Sequence, residues 1–182
     1  LFLALADRLA EAAIWLSRAM ATAEHVPPIH RDEARGGVFL AKATIAVLTG
    51  KLSLATVEEG VHAFAAAGLP RFVARMHLTA VWGLVTGAFS EDDATAVHRL
   101  LTAERLMSVS ADGFWVPTGR AELRAELQEK IGVRRFLEFE QAYVAVNGTA
   151  RDTALEGDLA AIAIRASHAK ILDWIGDEAA TN

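Results

Sequence analysis

The sequence predicts a mainly α-helical protein with about eight helices, packed as a bundle or as orthogonal pairs, and one β-hairpin near residues 106–116. Three observations lead to this fold class. Apolar residues recur at helical spacing through most of the 182 residues. Glycines and prolines separate these segments. One stretch, around Asp112-Gly113, instead has two short extended runs that flank a pair favoured in tight hairpin turns.

The helices of the first half are delimited by prolines and capping residues. Pro27-Pro28 ends the first helix, because proline lacks the N–H that a helix interior uses. Thr56 and Glu59 have the spacing of a capping box at a helix start, and Pro70 suits a first turn. The predicted helices are Phe2–Ala23, Asp32–Leu48, Thr56–Ala67 and Arg71–Val85.

The second half is predicted to hold four more helices around the hairpin segment 106–118. Ser90 and Asp93 resemble another capping box, and Gly132 separates two helices. The predicted helices are Ser90–Arg105, Gly119–Ile131, Val133–Val146 and Thr153–Ile175. Residues 1–175 then form a single helical domain, and 176–182 form a frayed polar tail.

One internal repeat is a candidate. Val47–Ser53 resembles Leu84–Ser90, 37 residues later, and each segment joins two helices. Periods of this size occur in arrays of helix pairs, which would extend over residues 38–105. Independent use of the same helix-turn residues is the alternative, and both interpretations stay open.

Composition favours a cytoplasmic protein that self-associates. Hydrophobic residues make up 53% of the chain and the mean hydropathy is +0.26, so apolar surface is expected to be covered by a second copy in a homodimer.

The chain has no cysteine, which excludes disulfides and cysteine-ligated zinc. The net charge of −5 argues against indiscriminate nucleic-acid binding. The longest apolar stretch, Val38–Leu48, carries Lys42, so no membrane span is predicted.

The order of features in Arg99–Leu127 resembles the second half of a winged-helix domain. The basic end of a predicted helix at 97–101 leads to Leu106-Met107, then to the turn at Asp112-Gly113, and then to a helix start at 116–121 that contains Thr118-Gly119-Arg120. MarR- and PadR-type regulators share this order. The resemblance implies a non-catalytic, dimeric transcription regulator that pairs through its first and last helices. The implied DNA contacts are Arg99, Arg105, Arg120 and Arg124.

Two departures keep another interpretation open. The predicted helix over 90–105 follows Gly87 directly, without the separate short helix that precedes a recognition helix. It also begins with Glu91-Asp92-Asp93, and acidic groups repel phosphate. The hairpin is therefore alternatively interpreted as packed against the helical body or as a dimerisation arm.

A second set of residues suggests a ligand site on the fourth predicted helix. Arg71, Arg75 and Trp82 share one face, and His77 lies on a neighbouring face. Two guanidinium groups beside an indole suit a carboxylate or an aromatic acid. A helical small-molecule-binding protein or enzyme is thus an alternative, and a subunit of a larger helical assembly is a third.

Catalytic and metal-binding signatures are sparse. Glu59-Gly60-Val61-His62 matches one Glu-x-x-His unit, but a helical di-iron site needs two such units. The sequence contains no phosphate-binding loop and no nucleophile-elbow motif. No metal or other cofactor is predicted, and a non-catalytic role is favoured over an enzymatic one.

Overall fold

The computed structural model describes residues 8–109 and 120–147. In these ranges every regular element is a helix, so the prediction of a mainly α protein is confirmed. The seven helices of the described ranges are α1 Leu9–Ala23, α2 Pro28–Leu48, α3 Leu54–Ala66, α4 Pro70–Val85, α5 Asp93–Val109, α6 Arg120–Ile131 and α7 Val133–Asn147.

The predicted β-hairpin is wrong where it falls on described residues. Residues 106–109, expected to begin its first strand, are instead the last turn of α5. Leu106 and Met107 pack against the core from that helix, so tertiary burial outweighs the short extended pattern. The remaining hairpin residues, 110–118, lie outside the described ranges, as do the helix predicted over Thr153–Ile175 and the tail 176–182.

Several helices begin at a residue other than the predicted one, because a neighbouring proline or capping residue starts the helix. Helix α2 starts at Pro28, before the predicted Asp32, because proline is well suited to a first helical position. Ser53 caps α3, and its hydroxyl accepts a hydrogen bond of 3.3 Å from the Thr56 N–H. Asp92 takes the same role before α5, accepting from the Thr95 N–H at 2.9 Å.

Helix α4 is the centre of the fold. Its buried residues belong to two core clusters, one shared with α2 and α3 and the other with α5, α6 and α7. Met76 and Val81 of α4 are fully buried, as are Leu100, Leu127 and Phe136 in the second cluster. A helix that is apolar on more than one side in this way is covered on more than one side.

The helices form stacked antiparallel pairs. Short connections turn α2 into α3, α3 into α4 and α4 into α5, while α2 also contacts α4, and α5 contacts α7. The connections after α2 and after α4 lie side by side, because the Leu52 N–H donates to the Ala88 carbonyl at 3.1 Å. The Lys130 Nζ donates to the Leu84 carbonyl at 2.8 Å and so attaches α6 to the end of α4.

The two connections of the candidate repeat share one turn geometry. Gly50 and Gly87 follow their helices with φ of 69° and 79°, a conformation that side chains with a Cβ rarely adopt. The preceding Thr49 and Thr86 each donate a 2.9 Å hydrogen bond to the carbonyl four residues earlier. This likeness agrees with a repeated unit, and duplication of the whole helix pair stays a prediction.

Candidate functional site

Arg99 is the buried centre of a cluster of charges where α3, α4 and α5 meet, and in this cluster the Glu58 side chain is 53% exposed. Arg99 itself is only 5% exposed. Its Nε and Nη2 donate to the two carboxylate oxygens of Glu91, with shortest distances of 2.8 Å, and Nη2 also donates to Glu58 at 2.6 Å. The fourth member is His77, whose Nδ1 lies 3.3 Å from Nη1. Two carboxylates surround one guanidinium, which is the arrangement that a buried arginine requires.

The cluster keeps His77 neutral. Burial, together with the positive charge of Arg99, lowers the pKa of His77 from 6.5 to about 4, although Glu58 acts in the opposite direction. Since arginine has only protons to donate, Nδ1 must accept, and the imidazole proton lies on Nε2. Burial alone would lower the pKa of Arg99, but its hydrogen bonds with Glu91 and Glu58 raise it, so the guanidinium stays charged. These residues are arranged to join helices.

The other arginines predicted to contact DNA take different places. Arg105 is buried, with 8% of its surface exposed. Arg120 is the first residue of α6. Arg124 lies between two carboxylates, with Nη1 at 2.8 Å from Glu104 and Nη2 at 2.5 Å from Glu140. The structure thus uses Arg99 and Arg124 to bridge helices through ion pairs, and their expected role at a phosphate backbone has no support from this placement.

The predicted ligand-binding residues separate onto two sides of α4. His77 faces Arg99. The Arg71 guanidinium lies 5.0 Å from the centre of the Phe72 ring, and Trp82 packs against the core cluster shared with α2 and α3. Arg75 is half-buried. His77 lies against Arg99 of α5, whereas Arg71 and Trp82 contact other groups, so the ligand site stays a prediction.

Two residues of the charge cluster had no usable signal in the sequence. Glu91 lies eight residues before Arg99, outside the three- and four-residue spacings that pair side chains within a helix. It reaches Arg99 because the chain folds back before α5 begins. Glu58 is 41 positions from Arg99, and only the packing of α3 beside α5 brings the two together.

Helix α1 presents an open apolar surface, as does α7, where Val133 and Val146 are exposed. Ile14 is 55% exposed and Trp15 is 56% exposed, while the residues of α1 that are buried are alanines. Beside Trp15, α1 and α2 enclose a groove of about 330 Å³. All nine residues that line it are apolar or glycine, among them Leu16, Val38 and Ile45. The first helix was predicted as a dimer interface, together with the last, only through the winged-helix resemblance.

Two kinds of feature are missing from the described ranges: a cluster of metal-ligating side chains and a membrane-spanning helix. Residues 8–109 and 120–147 contain no group of three or more histidine and carboxylate side chains placed to hold a metal ion. No helix in the same ranges is long and apolar enough to cross a bilayer.

Comparison with protein-family models, with curated proteins and with solved structures finds no match to this chain. The resemblance to winged-helix regulators therefore stays a prediction.

Proposed function

We propose that this chain is a non-catalytic subunit of a protein assembly and that it associates through α1. The observation that carries the proposal is the pair Ile14 and Trp15, both more than half exposed beside the apolar groove between α1 and α2. Tryptophan is enriched at the centres of protein interfaces, where a large rigid side chain buries much area at small entropic cost.

The way α1 is attached supports this proposal. Its fully buried residues are Ala12 and Ala23, which remove little apolar area from water. Its larger apolar side chains at positions 14, 15 and 20 remain 43% or more exposed. An apolar helix surface of this kind is stabilised when a partner covers it.

The placement of the arginines favours a protein partner over a nucleic acid. Arg99 is enclosed by Glu91 and Glu58, and Arg124 is paired with two glutamates, so these cations have little charge to offer to phosphates. The net charge of −5 also disfavours a nucleic acid, because it repels the phosphate backbone at long range. The homodimer predicted from composition is one form that the assembly can take.

Site-specific photo-cross-linking tests the proposal in the cells that produce the protein. A photoreactive amino acid at position 14 should give one defined cross-linked protein adduct. Position 133 is the matched control, because Val133 is an apolar residue with a similar exposure of 58% on a different helix, α7. An adduct at 14 and not at 133 supports assembly through α1, whereas no adduct at 14, or equal adducts at both positions, would overturn it.

A further inference from the structure

One face of α1 has a charge pattern that is complementary to the same face of a second, antiparallel copy. Ile14 and Trp15 are adjacent, and each lies three or four residues from both Glu11 and Arg18, so the four share one face of the helix. The two apolar residues lie at the middle of this face, with an acidic residue one turn before them and a basic residue one turn after them. Together these four positions form what we call the α1 seam.

We infer that the partner of the α1 seam is the α1 seam of a second copy of this chain, packed antiparallel about a twofold axis between residues 14 and 15. This inference rests on the proposed function, because it specifies the partner that covers α1. The axis sets Ile14 opposite Trp15 of the second copy. It also sets Glu11 opposite Arg18 of the second copy, since these residues are equally far from the axis on opposite sides.

The charges decide the direction of the pairing. A parallel pair would set Glu11 against Glu11 and Arg18 against Arg18, which is repulsive at both ends. The antiparallel pair makes two attractive contacts, one at each end, as a twofold interface requires. The Glu11 side chain is 48% exposed and pairs with Arg8, the residue just before α1, at 2.5 Å, and its exposed side leaves room for a second cation.

The groove extends the same contact surface. Trp15 belongs to both the α1 seam and the wall of the groove, and the Arg18 guanidinium lies 4.9 Å from the centre of the Trp15 ring. Small residues such as Ala19, Ala34 and Gly37 line the rest, which lets a second helix approach closely. The partner helix therefore meets apolar surface from α2 as well as from α1.

Charge reversal on the full chain tests the inference, with association measured by sedimentation velocity over a range of concentrations. Glu11→Arg and Arg18→Glu should each weaken dimerisation about tenfold, because each places two repulsive contacts in the dimer. The double variant Glu11→Arg/Arg18→Glu should restore wild-type association. Failure of the double variant to recover what the single variants lose would overturn the antiparallel seam.

Single cysteines provide a second, independent reading, because the native chain has none. Ile14→Cys lies within ~2 Å of its copy along the helix axis, whereas Thr22→Cys on the same face lies ~22 Å from its copy, at 1.5 Å per residue. Oxidation should therefore form a disulfide between two copies of the variant at 14 and none between copies of the variant at 22. Equal cross-linking at both positions would show parallel pairing and overturn the inference.

The outcomes separate the two proposals. A chain that remains monomeric at 200 µM overturns pairing with a second copy. In that case, a photo-cross-link from position 14 to a different protein would still support the proposed assembly function. Insertion of the apolar segment 153–175 of the same chain into the groove would give neither a dimer nor an adduct, and would overturn both.

Discussion

At the scale of single residues, Arg99 shows how one buried charge positions three helices. Its carboxylate partners come from α3 and from the connection before α5, and its imidazole partner comes from α4. Removing one member of such a cluster leaves a partner charged and poorly solvated, because the Glu91 side chain is only 10% exposed. The cluster is therefore expected to be sensitive to substitution at its centre.

Arg99→Met should lower the free energy of unfolding by about 3 kcal/mol, since Glu91 loses its main partner. Arg134→Met is the matched control, because Arg134 is also paired with a glutamate but its side chain is 95% exposed. The control should change stability by less than about 0.5 kcal/mol. Urea unfolding of both variants measures the difference, and equal losses would show that Arg99 has no special role.

His77 predicts a dependence of stability on pH. In the unfolded chain it takes up a proton near pH 6.5, but in the folded chain it does so only near pH 4. Between these values the unfolded state binds more protons, so the free energy of unfolding falls as the pH falls, by up to about 3 kcal/mol. Above pH 6.5 the group contributes no pH dependence.

His77→Gln isolates this contribution. The groups that face the imidazole are Arg99 and His98 from α5 and Glu58 from α3, and all of them remain in the variant. The free energy of unfolding of both proteins should be measured by chemical unfolding at a series of pH values. As the pH falls from 6.5 to 4, the wild type should lose stability relative to the variant. A constant difference over this range would mean that His77 is not held neutral.

From the sequence, Arg99 was predicted to contact DNA and His77 to line a ligand site, whereas in the structure the two are neighbours. Spacing along the helix predicted that His77 lies on a neighbouring face to Arg71 and Trp82. The 3.3 Å approach of His77 to Arg99 depends on how α4 and α5 pack, which no local pattern encodes. The sequence therefore singles out both residues, but it does not reveal that they contact each other.

At the scale of elements, the adjacent glycines of α2 have opposite surroundings. Gly36 is buried, and a Cβ there would lie 2.6–2.8 Å from three ring carbons of Phe64. That ring cannot move aside easily, because it is 2% exposed and stacks on Phe72 with ring centres 5.0 Å apart. Gly37 is exposed, and a Cβ there would meet no atom within 4 Å. The first glycine lets α2 approach α3 closely, and the second has no such role.

The pair Gly36→Ala and Gly37→Ala tests this close approach. Gly36→Ala should destabilise the protein by about 2 kcal/mol through overpacking. Gly37→Ala should stabilise it by up to about 1 kcal/mol, because alanine favours a helix over glycine. Thermal unfolding of both variants provides the comparison, and shifts in the same direction would contradict the packing of α2 on Phe64.

Helix existence was well predicted from the sequence, and helix ends were predicted less well. Apolar spacing, together with capping residues and prolines, located all seven helices of the described ranges. The starts of α2, α3 and α5 differed from the prediction, because several neighbouring residues offer competing caps or first-turn positions. The end of α5 was misplaced because Leu106 and Met107 have core contacts that their short local run does not reveal.

The whole molecule has a well-covered central helix, α4, and exposed apolar side chains on α1 and α7. Helix α4 is covered by both core clusters, whereas α1 packs on α2 largely through alanines. Excess apolar composition predicted self-association, but composition cannot say where the uncovered surface lies. The exposure of Ile14 and Trp15 supplies that location and carries the assembly proposal.

The most direct test of this account is the ratio of cross-linked to free chain with the photoreactive residue at 14 compared with 133. Both positions replace apolar side chains of nearly equal exposure, so their reactivity towards solvent is matched. Assembly through α1 predicts a high ratio at 14 and a background ratio at 133. Equal ratios, or a higher ratio at 133, would contradict the claim that α1 is the surface on which this protein assembles.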